Sequence, residues 1–120
     1  MQMFINFISR FYLALTMLIL TMITILSLWP IAELPAVPGT DKTHHFIAYA
    51  ILMLPTAIKQ HKQRWLIAMF FVCYSGALEL IQPYVNRYGE WSDLAANTGG
   101  LLCGMLLAQF FLFLTKAKQG

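Results

Sequence analysis

The chain has 120 residues, of which 59% are apolar and only 11% are charged. Because soluble domains carry about 25% charged residues, this composition excludes a water-soluble globular domain and favours a membrane protein. The formal charge of +3 comes from eight basic and five acidic residues scattered along the chain, so no nucleic acid partner is expected. We expect a single membrane domain over residues 1–120.

Four apolar segments are predicted to be transmembrane helices, over about residues 11–29, 44–58, 65–84 and 94–115. The first is uncharged and, at about 1.5 Å per residue, is long enough to cross roughly 28 Å of membrane. The second is shorter and contains Pro55, which predicts a kink near its end. The fourth follows Ser92, whose hydroxyl can cap a helix N-terminus. The predicted fold class is therefore all-α, a polytopic bundle of four transmembrane helices.

The distribution of basic residues predicts the orientation of this bundle. Six of the eight lie before the first helix, between the second and third, or after the fourth: Arg10, Lys59, Lys62, Arg64, Lys116 and Lys118. Only Lys42 and Arg87 lie in the opposite connections. Since cytoplasmic loops are enriched in Lys and Arg, both termini are expected in the cytoplasm.

Polar side chains lie at matching depths in three of the four predicted helices. The second and fourth helices run inward and the third runs outward, so one layer near the outer surface is expected to contain His45, Tyr49, Glu79, Gln82, Asp93 and Asn97. Within each helix these residues are three or four positions apart and share a face. Because polar groups at membrane depth usually face the bundle interior or a wet cavity, the sequence predicts an outward-facing polar pocket.

Two basic residues are expected at the mouth of this pocket. Lys42 and Arg87 suit a phosphate or carboxylate group, and Arg87 can bind such a group through two hydrogen bonds. Asp41 adjoins Lys42 and is included among the ligand-binding candidates. An alternative remains for both basic residues, which could act only as interfacial anchors.

The polar residues within the layer allow several roles. His45, Glu79 and Asp93 are the catalytic candidates if the protein is an enzyme, with His45 or Glu79 as the acid–base group. The ligand-binding candidates are Asp41, Lys42, Tyr49, Gln82, Arg87 and Asn97. Equally, Glu79 could be a hydrogen-bonded structural residue, and Asn97 could only join helices. No two-histidine zinc motif is present, so neither a metal nor another cofactor is expected.

Three glycines are predicted to allow close helix packing. Gly100 and Gly104 form a G-x-x-x-G pattern in the fourth predicted helix, and Gly76 lies in the third. This packing could join the third and fourth helices, or it could join two copies of the chain in a homo-oligomer through the Gly100/Gly104 face.

Three short motifs resemble those of the VanZ-like family of small bacterial membrane proteins. They are DKTHHF with the following Tyr49, GALELIQ at residues 76–82, and SDLAANTGG with the following Gly104. Arg87, between the last two motifs, resembles an arginine of the family. The resemblance covers about residues 40–105. It implies a multi-pass protein of the bacterial cytoplasmic (inner) membrane, and the family is named for a protein that raises resistance to teicoplanin.

Three classes of function fit these observations. The first is a cell-envelope protein that binds membrane lipids or an anionic, lipid-linked cell-wall precursor and influences glycopeptide susceptibility. The second is an intramembrane enzyme that acts on a lipid-linked substrate. The third is a structural subunit of a membrane assembly, in which the polar layer only fixes the helix register.

Overall fold

The computed structural model describes residues 2–28, 41–85 and 91–119. These residues form five α-helices: α1 (Gln2–Arg10), α2 (Tyr12–Leu28), α3 (Asp41–Lys59), α4 (Arg64–Ile81) and α5 (Trp91–Gln119). A short 3₁₀ turn, Gln82–Val85, follows α4. Within the described ranges there is no strand, and the all-α prediction is confirmed.

Two of the helices are long and apolar enough to cross a membrane by themselves. They cover Arg64–Tyr84 and Ser92–Lys116, and the bent pair of α1 and α2 provides a third candidate span. Helix α3 does not qualify, because its first turns carry Asp41, Lys42 and two histidines in an otherwise apolar segment. The described chain therefore contains two or three candidate spans, and the four-span topology with cytoplasmic termini stays a prediction.

Helix α1 was not predicted from the sequence, because it lies before the first long apolar segment. It precedes α2 and is bent from it by 75° at Phe11. Its sequence, QMFINFISR, mixes polar and apolar residues, so it gives no continuous apolar run. Ile5 and Ile8 are buried on its inner face, where α1 contacts α3. The chain therefore begins its first candidate span with a separate amphipathic helix.

Helix α3 is the central element of the bundle, because it contacts α1, α2, α4 and α5. Tyr49, Leu52 and Met53 on this helix are almost completely buried. Neighbouring helices thus shield much of α3 from the surroundings. This position explains how the most polar of the long helices can lie inside a bundle whose other helices expose mainly apolar side chains.

The connection from α3 to α4 folds back toward the start of α2. Helix α3 ends at Lys59 and is followed by Gln60, which has a left-handed backbone (φ 58°), and the backbone N–H of His61 donates to the carbonyl of Thr56 at 3.4 Å. These are features of a helix that ends with a left-handed residue. The His61 ring lies 6.0 Å from the Tyr12 ring, centroid to centroid. The basic 59–64 connection is therefore adjacent to the junction of α1 and α2.

Candidate functional site

Buried polar side chains lie on α3, α4, the 3₁₀ turn after α4, and α5, and we call this set the polar layer. Its members are His45, Tyr49, Ser75, Glu79, Gln82, Asp93 and Asn97. All of them are buried except His45, which is half-buried. Six of these seven residues were predicted from the sequence to share one depth.

Asn97 lies at the centre of the polar layer and contacts both neighbouring helices. Its side-chain Nδ2 donates a hydrogen bond to the Ser75 hydroxyl on α4. Its Oδ1 lies 3.1 Å from Nδ1 of His45 on α3. A single amide therefore uses its donor on one helix and its acceptor on the other, which fixes the register of all three helices.

The orientation of the Asn97 amide determines the tautomer of His45. Because Nδ2 of Asn97 is directed to Ser75, the group that faces His45 is the carbonyl oxygen Oδ1, which can only accept a hydrogen bond. Nδ1 of His45 must therefore be protonated, and in the neutral ring Nε2 carries the lone pair. The hydrogen bond to Asn97 thus leaves Nε2 as the basic nitrogen of the neutral ring.

Ser75 and Tyr49 extend the network on the side of the bundle core. The Tyr49 side chain hydrogen-bonds with Ser75, and both residues are at most 1% exposed. Ser75 was not identified from the sequence as a site residue, because a serine within an apolar helix gives no distinctive signal. Its position four residues before Glu79 could have indicated it, since residues four apart share a helix face.

Two carboxyl groups belong to the polar layer and are each only 6% exposed. Glu79 lies one turn beyond Ser75 on α4 and is close enough to Tyr49 for an electrostatic interaction. Asp93 lies in the first turn of α5, one turn before Asn97. Both carboxyl groups therefore lie on the same side of the Asn97 amide, toward the start of α5 and the end of α4.

Gln82 lies in the 3₁₀ turn after α4, and only one of its two polar side-chain atoms is hydrogen-bonded among the described residues. Its Nε2 donates to the backbone carbonyl of Ser27 at 3.1 Å, which satisfies an acceptor in the last turn of α2. Its Oε1 has no hydrogen-bond partner among the described residues, although Gln82 is only 1% exposed. An unsatisfied buried acceptor costs about 1–3 kcal/mol. Gln82 therefore presents an acceptor that a donor group could satisfy.

The expected residues at the mouth of the pocket are only partly described. Asp41 and Lys42 form the start of α3, one turn before His45. Arg87 lies outside the described residues, as do most residues of the two predicted outer connections. The described helices contain the buried polar layer. An open pocket above this layer stays a prediction.

Metal binding finds no support among the described residues. They include no group of three or more His, Cys, Asp or Glu side chains that could hold a metal ion. His45, Glu79 and Asp93 therefore do not form a three-ligand centre in the described structure.

Two of the three predicted packing glycines lie where α5 contacts α3. A Cβ atom at Gly100 would overlap the backbone carbonyl oxygen of Phe46, and one at Gly104 would overlap that of Ala50. The Gly100/Gly104 face is thus covered by α3 of the same chain, not by the third predicted helix. Gly76 differs, because no described heavy atom outside its own helix backbone lies within 4 Å of the position of its Cβ.

This close approach of α3 and α5 positions the site. Gly100 lies about one turn beyond Asn97 on α5, and Phe46 directly follows His45 on α3. Without side chains at the two glycines, the helix backbones come near enough for the short Asn97 and His45 side chains to meet. The glycine pattern and the polar pair are therefore parts of one arrangement.

Comparison with known protein families matches residues 2–113 to the family described as VanZ/LLP1. The match includes α1 and α2 and thus extends beyond the region that carries the three motifs. Neither the curated proteins nor the solved structures give a match. The family match and the long apolar helices together indicate a membrane protein. The chain belongs to the VanZ/LLP1 family.

Proposed function

We propose that this chain is a multi-pass protein of the bacterial cytoplasmic membrane that binds a lipid-linked cell-wall precursor. The polar layer would bind the hydroxyl and amide groups of the precursor on the extracytoplasmic side. The observation that supports this proposal is the buried polar layer with an unpaired acceptor at Gln82. Burying such groups in a membrane bundle is costly, and polar residues at membrane depth usually have a function.

The topology in this proposal has four spans, with α3 as the second. Although α3 is too polar to qualify by composition, its neighbours cover it, and a covered helix needs less apolar surface. Charge separation along the bundle supports the same orientation. All five acidic residues lie within 33–41 or 79–93, whereas the 59–64 connection contains three basic residues and no acidic one. The basic end would face the cytoplasm.

The chemistry of the polar layer favours a ligand that offers hydrogen-bond donors. The carboxyl oxygens of Glu79 and Asp93 and the Oε1 atom of Gln82 are hydrogen-bond acceptors. Sugar hydroxyls and peptide amides supply the matching donors. Lys42 and Arg87 are expected to bind the phosphate groups that link such a head group to its lipid. A lipid-linked ligand could reach the layer from within the membrane.

An influence on glycopeptide susceptibility would follow from this binding. A glycopeptide such as teicoplanin acts outside the cytoplasmic membrane, where the proposed site would hold the precursor. A bound precursor would be less accessible to the drug. Susceptibility is therefore expected to depend on the same residues as precursor binding.

The proposal predicts that Glu79→Gln weakens binding of an undecaprenyl-diphosphate-linked sugar–peptide precursor by about tenfold. A charged acceptor makes a stronger hydrogen bond than a neutral one, by roughly 1–1.5 kcal/mol. Purified full-length protein and the precursor would be titrated in detergent and followed by native mass spectrometry. Thermal unfolding of the variant would be measured in the same detergent.

A second ligand and a second variant distinguish binding of the sugar and peptide from binding of the phosphate. Undecaprenyl phosphate lacks the sugar and peptide, so its affinity should be unchanged by Glu79→Gln but reduced by Arg87→Ala. Thr98→Ala is the matched control on α5, since its hydroxyl donates to the Leu94 carbonyl of its own helix at 2.9 Å. Equal precursor affinity in wild type, Glu79→Gln and Arg87→Ala would contradict the proposal. Losses that only follow the loss of stability would favour the structural role.

The tautomer of His45 supports a second candidate function, intramembrane acid–base catalysis on a lipid-linked substrate. Asn97 holds the ring with Nε2 as its basic nitrogen, which suits a general base. Purified protein would be incubated with lipid-linked precursors and phospholipids, and products would be identified by mass spectrometry. Turnover that is abolished in His45→Gln would establish an enzyme. Binding without turnover in the wild-type protein would leave the binding function.

A further inference from the structure

We propose that α1 lies in the plane of the membrane interface, where it contacts anionic lipid head groups on the side of the 59–64 connection. It would anchor the base of the bundle there. This inference does not depend on the ligand of the polar layer. It rests on the faces of α1, on its angle to α2 and on the charges around the junction of these helices.

Helix α1 has three distinct faces. Its inner face consists of Ile5 and Ile8, which are buried against the bundle. An outer apolar face is exposed and consists of Met3, Phe4 and Phe7, with Phe11 at the following bend. The remaining face is polar and consists of Gln2, Asn6, Ser9 and Arg10. At about 100° per residue, the centres of these faces are roughly 120° apart, as expected for a helix bounded by protein, lipid and water.

The angle of α1 is consistent with this position. Because α1 is bent by 75° from α2, a helix α2 that runs across the membrane places α1 nearly parallel to the membrane surface. Its nine residues cover about 13 Å along that surface. The exposed apolar face also continues into α2, where Leu13, Met17 and Leu18 are exposed. Since these side chains of a spanning helix face lipid, the adjoining side chains of α1 reach the same lipid.

The charge near α1 favours anionic head groups. Arg10 lies 5.4 Å from the centroid of the Phe11 ring, and Lys59 lies 5.8 Å from that of Tyr12. Lys62 and Arg64 follow in the same connection, and the chain has no acidic residue in 1–28 or 42–78. Each basic residue near an anionic membrane surface contributes about 1 kcal/mol. An acidic lipid surface therefore complements this end of the molecule.

Spin-label accessibility in the full-length chain tests the position of α1. Cys73 and Cys103 would be replaced by Ala, and a nitroxide would be attached at Phe7→Cys or, as the matched control, at Asn6→Cys. The protein would be reconstituted in vesicles of phosphatidylcholine and phosphatidylglycerol. The label at position 7 should collide preferentially with oxygen, which concentrates in lipid, and the label at position 6 with a water-soluble nickel chelate.

Two results would overturn the assignment to lipid. If both labels favour the nickel chelate, α1 projects into water. If the label at position 7 is shielded from both reagents, protein covers the face, and a second copy is the occupant. Circular dichroism and thermal unfolding of each labelled protein would establish that it is folded before accessibility is compared.

The head-group charge has its own test. In vesicles of phosphatidylcholine alone, the oxygen preference at position 7 should decrease, because the basic residues lose their electrostatic attraction to the surface. Arg10→Gln combined with Lys59→Gln should abolish the difference between the two vesicle types. An oxygen preference that is equal in both vesicle types with the basic residues intact would overturn the anionic-lipid assignment.

Discussion

Gly100→Ala is expected to destabilise the folded bundle by about 2–3 kcal/mol, as overpacking of a close interface does. The added Cβ would overlap the carbonyl oxygen of Phe46, which belongs to the backbone and cannot rotate away. The central helix α3 and α5 would have to move apart along their contact. The measurement is reversible unfolding of the purified protein in mixed micelles, followed by circular dichroism.

Gly76→Ala is the matched control for this prediction. It makes the same chemical change within a helix, but no described heavy atom outside that helix's own backbone lies within 4 Å of the new Cβ. Because alanine is a better helix former than glycine by about 1 kcal/mol, this variant should be as stable as wild type or slightly more stable. Similar destabilisation by both variants would contradict the close α3–α5 contact. In Gly100→Ala alone, the separation of the helices should also weaken the proposed ligand binding.

The contrast between these glycines shows what could not be predicted from the sequence, namely which helix each glycine packs against. Gly76, Gly100 and Gly104 all occur in apolar helices, and the sequence alone gave them one common role. The three-dimensional arrangement distinguishes them, because only the last two face another helix backbone. The sequence also did not identify α3 as their partner. Which helices pack together depends on the complementarity of two surfaces, and a pattern within one segment describes only one of them.

The helices themselves were easier to predict. The predicted segments 44–58, 65–84 and 94–115 correspond to α3, α4 with its 3₁₀ turn, and α5. Long apolar runs are strong signals for membrane helices, because all their side chains can lie against either lipid or the protein interior. Helix α1 was missed because its apolar residues are distributed over two faces and separated by polar ones. A helical-periodicity test of the residues before the first apolar run would have found it.

The polar layer was predicted from depth alone, without its pairings. Counting residues from the ends of the segments placed His45 and Asn97 at a similar level, and the structure brings their side chains to 3.1 Å. The role of Ser75 could not be predicted in this way, since a hydroxyl in an apolar helix can also bond to its own backbone. Thr98 and Thr115 do so in this chain. The position of a side chain along its helix follows from the sequence, whereas its hydrogen-bond partner depends on how the helix is rotated about its axis.

Asn97→Ala is expected to destabilise the bundle by about 1–3 kcal/mol, which is the cost of leaving buried polar groups unpaired. The substitution removes the donor to Ser75 and the acceptor for Nδ1 of His45 in one step. Interhelical hydrogen bonds in membrane bundles contribute about 0.6 kcal/mol on average and up to roughly 1.7. Two such bonds to one buried amide thus account for the expected range. Unfolding in mixed micelles is the measurement.

A double-mutant cycle separates the His45–Asn97 interaction from other effects of the two substitutions on stability. His45→Ala and Asn97→Ala would be combined, and the coupling free energy between them is expected to be about 0.6–1.7 kcal/mol, since the second substitution finds the bond already broken. Thr98→Ala is the control, because its hydroxyl bonds within its own helix, and it should cost less than about 0.5 kcal/mol. Additive effects of His45→Ala and Asn97→Ala would mean that the two side chains do not interact. The tautomer assigned to His45, and with it the basis for acid–base chemistry, would then be lost.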